Sequence, residues 1–215
     1  WAAVAQRGRI MQTFKNLRTY ARHGVFSVPG MDAFVARRLT DRDEILQGRI
    51  FPYQFLAAWH AVREDPDVPG LVKDALQTAV EISVEKVPSF GVPPAILVDV
   101  SGSMRQAPVT GNRGSATSVV KCIDAAALIG AAFARRNPGS VLFPVDERVH
   151  DASHMNLRDS IATVSTQLRS FGGGGTALGA GIRHLNATGH RGGVVILISD
   201  MESWADTNQW QGGGT

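Results

Sequence analysis

The chain has 215 residues, 44% of them hydrophobic and 19% charged, a composition that excludes a disordered protein and suits one full domain with part of another, or two small ones. The single cysteine, Cys122, excludes a disulfide framework and a cysteine-built zinc site; no apolar run approaches the length of a membrane span, and no secretory signal opens the chain, so a cytoplasmic protein without a membrane partner is expected. The net charge of +3 is uneven: nine Lys/Arg face four acids in residues 1–50, three face six in 51–90 and ten face nine in 91–215, which places an anionic partner such as RNA at the start of the chain.

Residues 1–90 read as short helices in series. Ile10, Phe14, Leu17 and Ala21 form one apolar stripe on a helix that should stop at His23 and Gly24. Met31–Leu39 predicts a second helix. Thr40, followed by Asp43 and Glu44, predicts the N-cap of a third through Gln47. Pro52 suits the first turn of a fourth, Tyr53 to about Arg63. A fifth, Leu71 to about Val84, should bury Leu71, Ala75, Ala79 and Ile82. Such a series predicts the end of an α-helical solenoid, which requires further repeats.

The proline-rich stretch 88–94 predicts a linker, and the pattern changes after it. Ala95–Val100, Ser140–Val145 and Val194–Ser199 are continuous apolar runs, as expected of strands covered on both faces. Thr117 to about Arg136, Leu157–Leu168 and Ala177–Leu185 read as helices between them, and Arg148–His150 as a short edge strand. In the long helix Val120, Ile123, Ala127, Gly130 and Ala131 should face inward. The alternation predicts an α/β domain over 91–215, a mostly parallel sheet with helices on both faces. The chain opens on Trp1 and runs out soon after the third strong strand, so both ends are expected to be cut.

Ligands of open α/β sheets sit at the carboxyl ends of the strands. There the first strand ends in Asp99, Ser101 and Ser103, the third ends in Asp200, and a glycine run, Gly172–Gly175, delivers Thr176 to the start of a helix. Two carboxylates and three hydroxyls make a hard-oxygen set suited to a divalent cation such as Mg²⁺, with a position left for an oxygen from a partner. Spacing by two lets Asp99, Ser101 and Ser103 converge on one side, and Gly102 permits the sharp turn after them.

This set resembles the metal-ion-dependent adhesion site (MIDAS) of von Willebrand factor A domains. A narrower resemblance rests on NLRTYARHG at 16–24, RIFPY at 49–53, DVSGSM at 99–104, GGGGT at 172–176 and SDMESW at 199–204. Together these are similar to the Ro autoantigen (TROVE) family in its bacterial or phage form. The resemblance implies that 1–90 is the C-terminal part of a HEAT-like ring and 91–215 most of a von Willebrand factor A domain. It implies binding of small Y-type non-coding RNA and of the ends of misfolded RNA, a part in RNA quality control, and an exoribonuclease as partner. Carried over by motif, the metal ligands are Asp99, Ser101, Ser103, Thr176 and Asp200, with Met201 standing where the family is expected to have Asn.

For RNA, Lys15, Arg18 and Arg22 are spaced to share one helix face, a stripe suited to phosphates, and His23 adjoins it. Tyr53 and Trp59 are candidates for stacking on bases, or core. Catalysis is not expected: a phosphatase with an aspartate nucleophile needs a second carboxylate where Ser101 stands, the glycine run lacks the Gly-Lys-Ser/Thr of a nucleotide-binding loop, and no Ser-His-Asp order appears. The alternative is a metal-dependent protein-binding A domain whose open metal position takes a partner's carboxylate, an adhesion or assembly module without RNA.

Overall fold

A computed structural model describes residues 1–48, 50–109 and 120–201 of the chain. It divides into two compact units, Trp1–Lys86 and Val87–Thr215. Arg49, Thr117 with the expected start of the long helix, Glu202–Trp204 and the C-terminal glycines lie outside the described residues.

The first unit is helical: α1 (Ala2–Arg7), α2 (Ile10–Lys15), α3 (Leu17–Arg22), α4 (Met31–Leu39), α5 (Arg42–Gln47), α6 (Pro52–Val62) and α7 (Gly70–Ser83). Ile10, Phe14 and Leu17 are buried as the stripe requires, but the predicted single helix is two, parted at Asn16 (φ −110°, ψ 9°). Periodicity survives such a break because the turn at Asn16 shifts the phase little, so the pattern could not show it. His23 closes α3 and Gly24 follows in the left-handed region at φ 64°, as a helix-ending glycine does.

Two expectations here are corrected. Asp41, not Thr40, caps α5: its carboxylate accepts the N–H of Glu44 at 2.9 Å, while the Thr40 hydroxyl donates back to the carbonyls of Ala36 and Arg37. Aspartate wins because its carboxylate reaches the third residue of the helix and also favours the positive end of the dipole. On α7 the buried face is Val72, Ala75, Leu76, Ala79, Val80 and Ser83, and Leu71 is 51% exposed. The helix starts one residue earlier than read, and α4, α5 and α6 all pack on it, which widens and rotates the buried arc. Tyr20, Leu17, Leu39, Ile45, Phe55 and Leu76 are its largest fully buried side chains, and the rings of Phe14 and Phe55 meet at 5.0 Å.

The second unit is α/β. Strands β1 (Ala95–Asp99), β2 (Val141–Val145) and β3 (Val195–Ile198) pair in parallel in the order β2-β1-β3. Ala95 is level with Val141 and Val195, and Val98 with Pro144 and Ile198. Every residue of β1 is buried, as expected of a central strand covered on both faces. The helices are α8 (Gly102–Gln106), which the sequence pattern did not indicate, α9 (Cys122–Arg136), α10 (Ile161–Leu168, capped by the Ser160 hydroxyl) and α11 (Leu178–Ala187). Arg148–His150 forms no strand: it makes one antiparallel bridge, Val149 to Val145.

Alternation along the strands sorts the two faces. Ala95, Leu97 and Val145 form one core with Leu185 of α11, joined by Phe143, Ala180 and Leu197. On the other face Gly130 of α9 lies so close that an added Cβ would stand 2.6 Å from Val98 Cγ2, with Ile198 and Leu142 next in line. Gly181 of α11 approaches Leu97 in the same way, at 2.7 Å. Ile123, Ala127, Gly130 and Ala131 are buried, as the helical pattern predicts. The expected class, a parallel α/β sheet covered on both faces after a helical region, is what the chain adopts.

Candidate metal centre

β1 carries Asp99 out of the sheet fully buried, and its two carboxylate oxygens find different partners. Oδ1 accepts the N–H of Ser101 at 2.9 Å and Oδ2 accepts the Ser199 hydroxyl at 2.5 Å. Parallel register explains the second contact, since Val98 opposite Ile198 brings Ser199 level with Asp99 and Asp200 level with Val100. Ser101, fully buried, holds its Oγ 3.1 Å from Ser103 Oγ, the latter already in the first turn of α8. Thus Asp99 is tied to the backbone of Ser101, and the hydroxyls of Ser101 and Ser103 lie together.

Backbone contacts bring the glycine run to them. Gly173 N–H donates to the Val100 carbonyl and Gly102 N–H to the Gly174 carbonyl, both at 2.8 Å. The reason for a glycine at 102 is this approach rather than a turn: its φ is not positive, and a Cβ there would stand 3.2 Å from the Gly173 oxygen. Gly172 does need its freedom, at φ 74° with Val100 Cγ2 2.4 Å from where a Cβ would sit. Arg105 of α8 donates to the carbonyls of Arg169 and Phe171 and so braces the chain entering the run. Arg169 in turn pairs with the buried Asp124 of α9 at 2.6 Å. Thr176 emerges buried from the run, and Asp200 stands exposed at the adjoining strand end. Met201 takes φ 65° and is 68% exposed, its N–H on Ser199 Oγ at 2.9 Å. Asparagine adopts that left-handed conformation more readily than methionine does, which gives the departure at Met201 a backbone cost.

A carboxylate taken wholly out of water is costly unless a positive charge offsets it. Among the described residues the partners of the Asp99 carboxylate are the Ser101 N–H and the Ser199 hydroxyl, both neutral donors. That donor chemistry fits a hard divalent cation held by oxygen. Among the described residues no three His, Cys, Asp or Glu side chains gather to hold a metal, so any cation here depends on hydroxyls as much as on carboxylates.

Pattern reading missed Asp146 and Glu147, which end β2 at the same edge as Asp99 and Asp200. Asp146 is buried; its Oδ2 accepts the Gly174 N–H at 3.3 Å, and His150 Nε2 lies 2.9 Å from its Oδ1. Burial pushes its carboxyl up, but the N–H of Arg148, His150 and the Gly174 N–H outweigh that and hold it below the usual carboxylate range. The signal was available, for Asp146 follows the run Ser140–Val145 as Asp200 follows Val194–Ser199.

The residues expected to meet RNA all lie in the helical unit and are exposed: Lys15 on α2, Arg18 and Arg22 on α3, and His23 at its end. They therefore occupy two helices rather than one. His23 stacks on Trp1, ring centroids 5.0 Å apart and 20° between planes. Tyr53 stacks on Phe51, and Trp59 lies under the Arg63 guanidinium. Arg7 and Arg9, which the stripe reading left out, join Lys15 in lining a groove of about 540 Å³ with Met11, Gln12 and Asn16.

The fold is that of a von Willebrand A-like unit, with carboxylates and hydroxyls at its strand ends, following a helical region. The chain is similar in fold to the crystal structure of the Ro (RSR) protein of Deinococcus radiodurans: TM-score 0.68 and 21% identity over 93% of this chain. It spans 41% of the length of that protein. The Ro-like fold that the motifs imply is thus borne out. No family model matches the sequence, and no curated protein matches it.

Proposed function

We propose that this chain belongs to a non-catalytic RNA-binding protein of the Ro type, whose helical unit meets RNA phosphates and whose A-like unit holds a divalent cation. The observation that carries the RNA reading is charge. The first 31 residues hold five cations, Arg7, Arg9, Lys15, Arg18 and Arg22, and no carboxylate, and all five are exposed. Exposed cations clustered on a segment without acids attract a polyanion, with Glu44 of α5 a carboxylate that reaches this segment, at the Ile10 N–H. Small Y-type RNA and the ends of misfolded RNA are the partners the family resemblance suggests, in cytoplasmic RNA quality control beside an exoribonuclease.

In the A-like unit, Asp99, Ser101, Ser103, Thr176 and Asp200 would hold the cation, Mg²⁺ being the hard cation best suited to this oxygen set. When bound, it supplies a Lewis-acid position for an anionic oxygen of a partner. The full burial of the Asp99 carboxyl group supports this part of the reading.

The test is a mobility shift with a small structured RNA across a salt series. Binding should weaken steeply as salt rises, and reversing both Arg18 and Arg22 to Glu should weaken it at every salt concentration and flatten the slope by about 0.7–0.9 per lost phosphate contact. Unchanged affinity in that double variant removes the stripe from the interface. Failure of RNA binding together with metal-dependent binding of a carboxylate-bearing protein would favour the adhesion or assembly module instead.

A further inference from the structure

Thr176 is the one candidate ligand delivered by a loop of four consecutive glycines. Left free, such a loop would lose much entropy on fixing a ligand, so something must hold it. From the β1 side it is tied by backbone alone, through Val100 and Gly102. From the β2 side it is tied by carboxylates. Asp146 Oδ2 accepts the Gly174 N–H at 3.3 Å, and Glu147 Oε1 accepts the Gly175 N–H at 2.9 Å. The Asp146 carbonyl then accepts the N–H of Ala177, the residue after Thr176, at 2.9 Å. Three successive contacts from two residues therefore bracket Thr176.

The glycines match these acids sterically. A Cβ on Gly174 would stand 3.2 Å from Asp146 Oδ2, and one on Gly175 would stand 2.9 Å from Glu147 Oε1. Neither residue has a positive φ, and a side chain at either would have to push the carboxylate end aside from the amide it accepts. Asp146 is itself steadied by His150 and by the Arg148 N–H.

We propose that Asp146 and Glu147 are positioning residues for the metal centre, latching the glycine run by its amides so that Thr176 is presented beside Asp99, Ser101 and Ser103. This rests on the reading of those residues as a cation site. The pair does not coordinate the cation: it fixes a ligand-bearing loop, as the outer partners of metal ligands do elsewhere.

The experiment measures Mn²⁺ affinity of the whole chain by calorimetry, and backbone amide exchange of Gly174 and Gly175 without metal. Glu147→Ala should weaken Mn²⁺ binding about tenfold or more and speed exchange at Gly175. Glu147→Gln should restore both, because its Oε1 still accepts the Gly175 N–H. Gly175→Ala should reproduce the defect from the loop side with Glu147 intact. A Gln variant as weak as the Ala variant would mean that the charge of Glu147 acts on the cation directly, and the latch would be overturned. Affinity unchanged in Glu147→Ala overturns it equally. Absence of Mn²⁺ binding in the unaltered chain overturns the metal reading and the latch's role with it, whereas Gly175 exchange reports the contact in either case.

Discussion

Asp99 shows how one residue can be legible as a type and illegible as a state. Its place at the end of an apolar run marks a strand-end carboxylate, but its burial against Ser199, a hundred residues away, comes from sheet order. Cys122, at the start of α9, reports on the same edge. Burial first, then the carboxylates of Asp200 and Asp124, push its thiol above the usual range. A raised thiol holds less thiolate at neutral pH and reacts slowly. Asp200→Asn should therefore bring the thiol down and move its alkylation rate profile to lower pH. Mg²⁺ bound near Asp200 should act in the same direction on the unaltered chain. Iodoacetamide labelling followed across pH checks both, and a profile indifferent to Asp200 would separate that carboxylate from the α9 terminus.

Among the elements, α9, like α11 with Gly181, has a composition dictated by its neighbour. Gly130 in mid-helix is about 1 kcal/mol worse than Ala by propensity alone. It persists because α9 lies close on β1, where a methyl at 130 would meet Val98 at 2.6 Å in a fully buried central strand. Overpacking of this kind costs about 1–3 kcal/mol, more than the propensity gain. Gly130→Ala should thus destabilise the chain by up to about 2 kcal/mol, read as a lower denaturation midpoint at unchanged slope. A rise in the midpoint would show that the helix can lift from the sheet without loss. The five-residue α8 shows the opposite dependence: it is too short to be seen in periodicity and is held where it is by Arg105 on the carbonyls of Arg169 and Phe171.

For the molecule as a whole, the two proposed chemistries belong to different units: the cations proposed to meet RNA lie within Trp1–Lys86 and the oxygen groups proposed to hold a cation within Val87–Thr215. Contacts with phosphate depend on salt, and a metal centre depends on its ligands. Asp99→Ala should therefore abolish Mn²⁺ binding while leaving RNA affinity within about twofold, a change small beside the salt effect. Mobility shift and calorimetry on one preparation check this, and equal loss of both would show that the two units are energetically coupled.

What could be read from residue order was whatever repeats locally: the helical stripes, three apolar strands, the switch between the two patterns near the proline-rich stretch, and the oxygen-bearing strand ends. The full burial expected of all three strands holds for β1 alone, since β3 is exposed at Val195 and only half-buried over 196–198. These follow from short-range geometry, the helical and strand periods, and from the rule that sheet ligands lie at carboxyl ends. The break at Asn16 and the true buried face of α7 were not legible, nor was the hold of Asp146 and Glu147 on the glycine run. Each depends on which neighbour fills the space beside a segment, and that is set by long-range packing and sheet register. An aspartate after a strand looks the same in sequence whether it faces a cation or grips a loop; the amides of Gly174 and Gly175, nearly thirty residues on, make the difference.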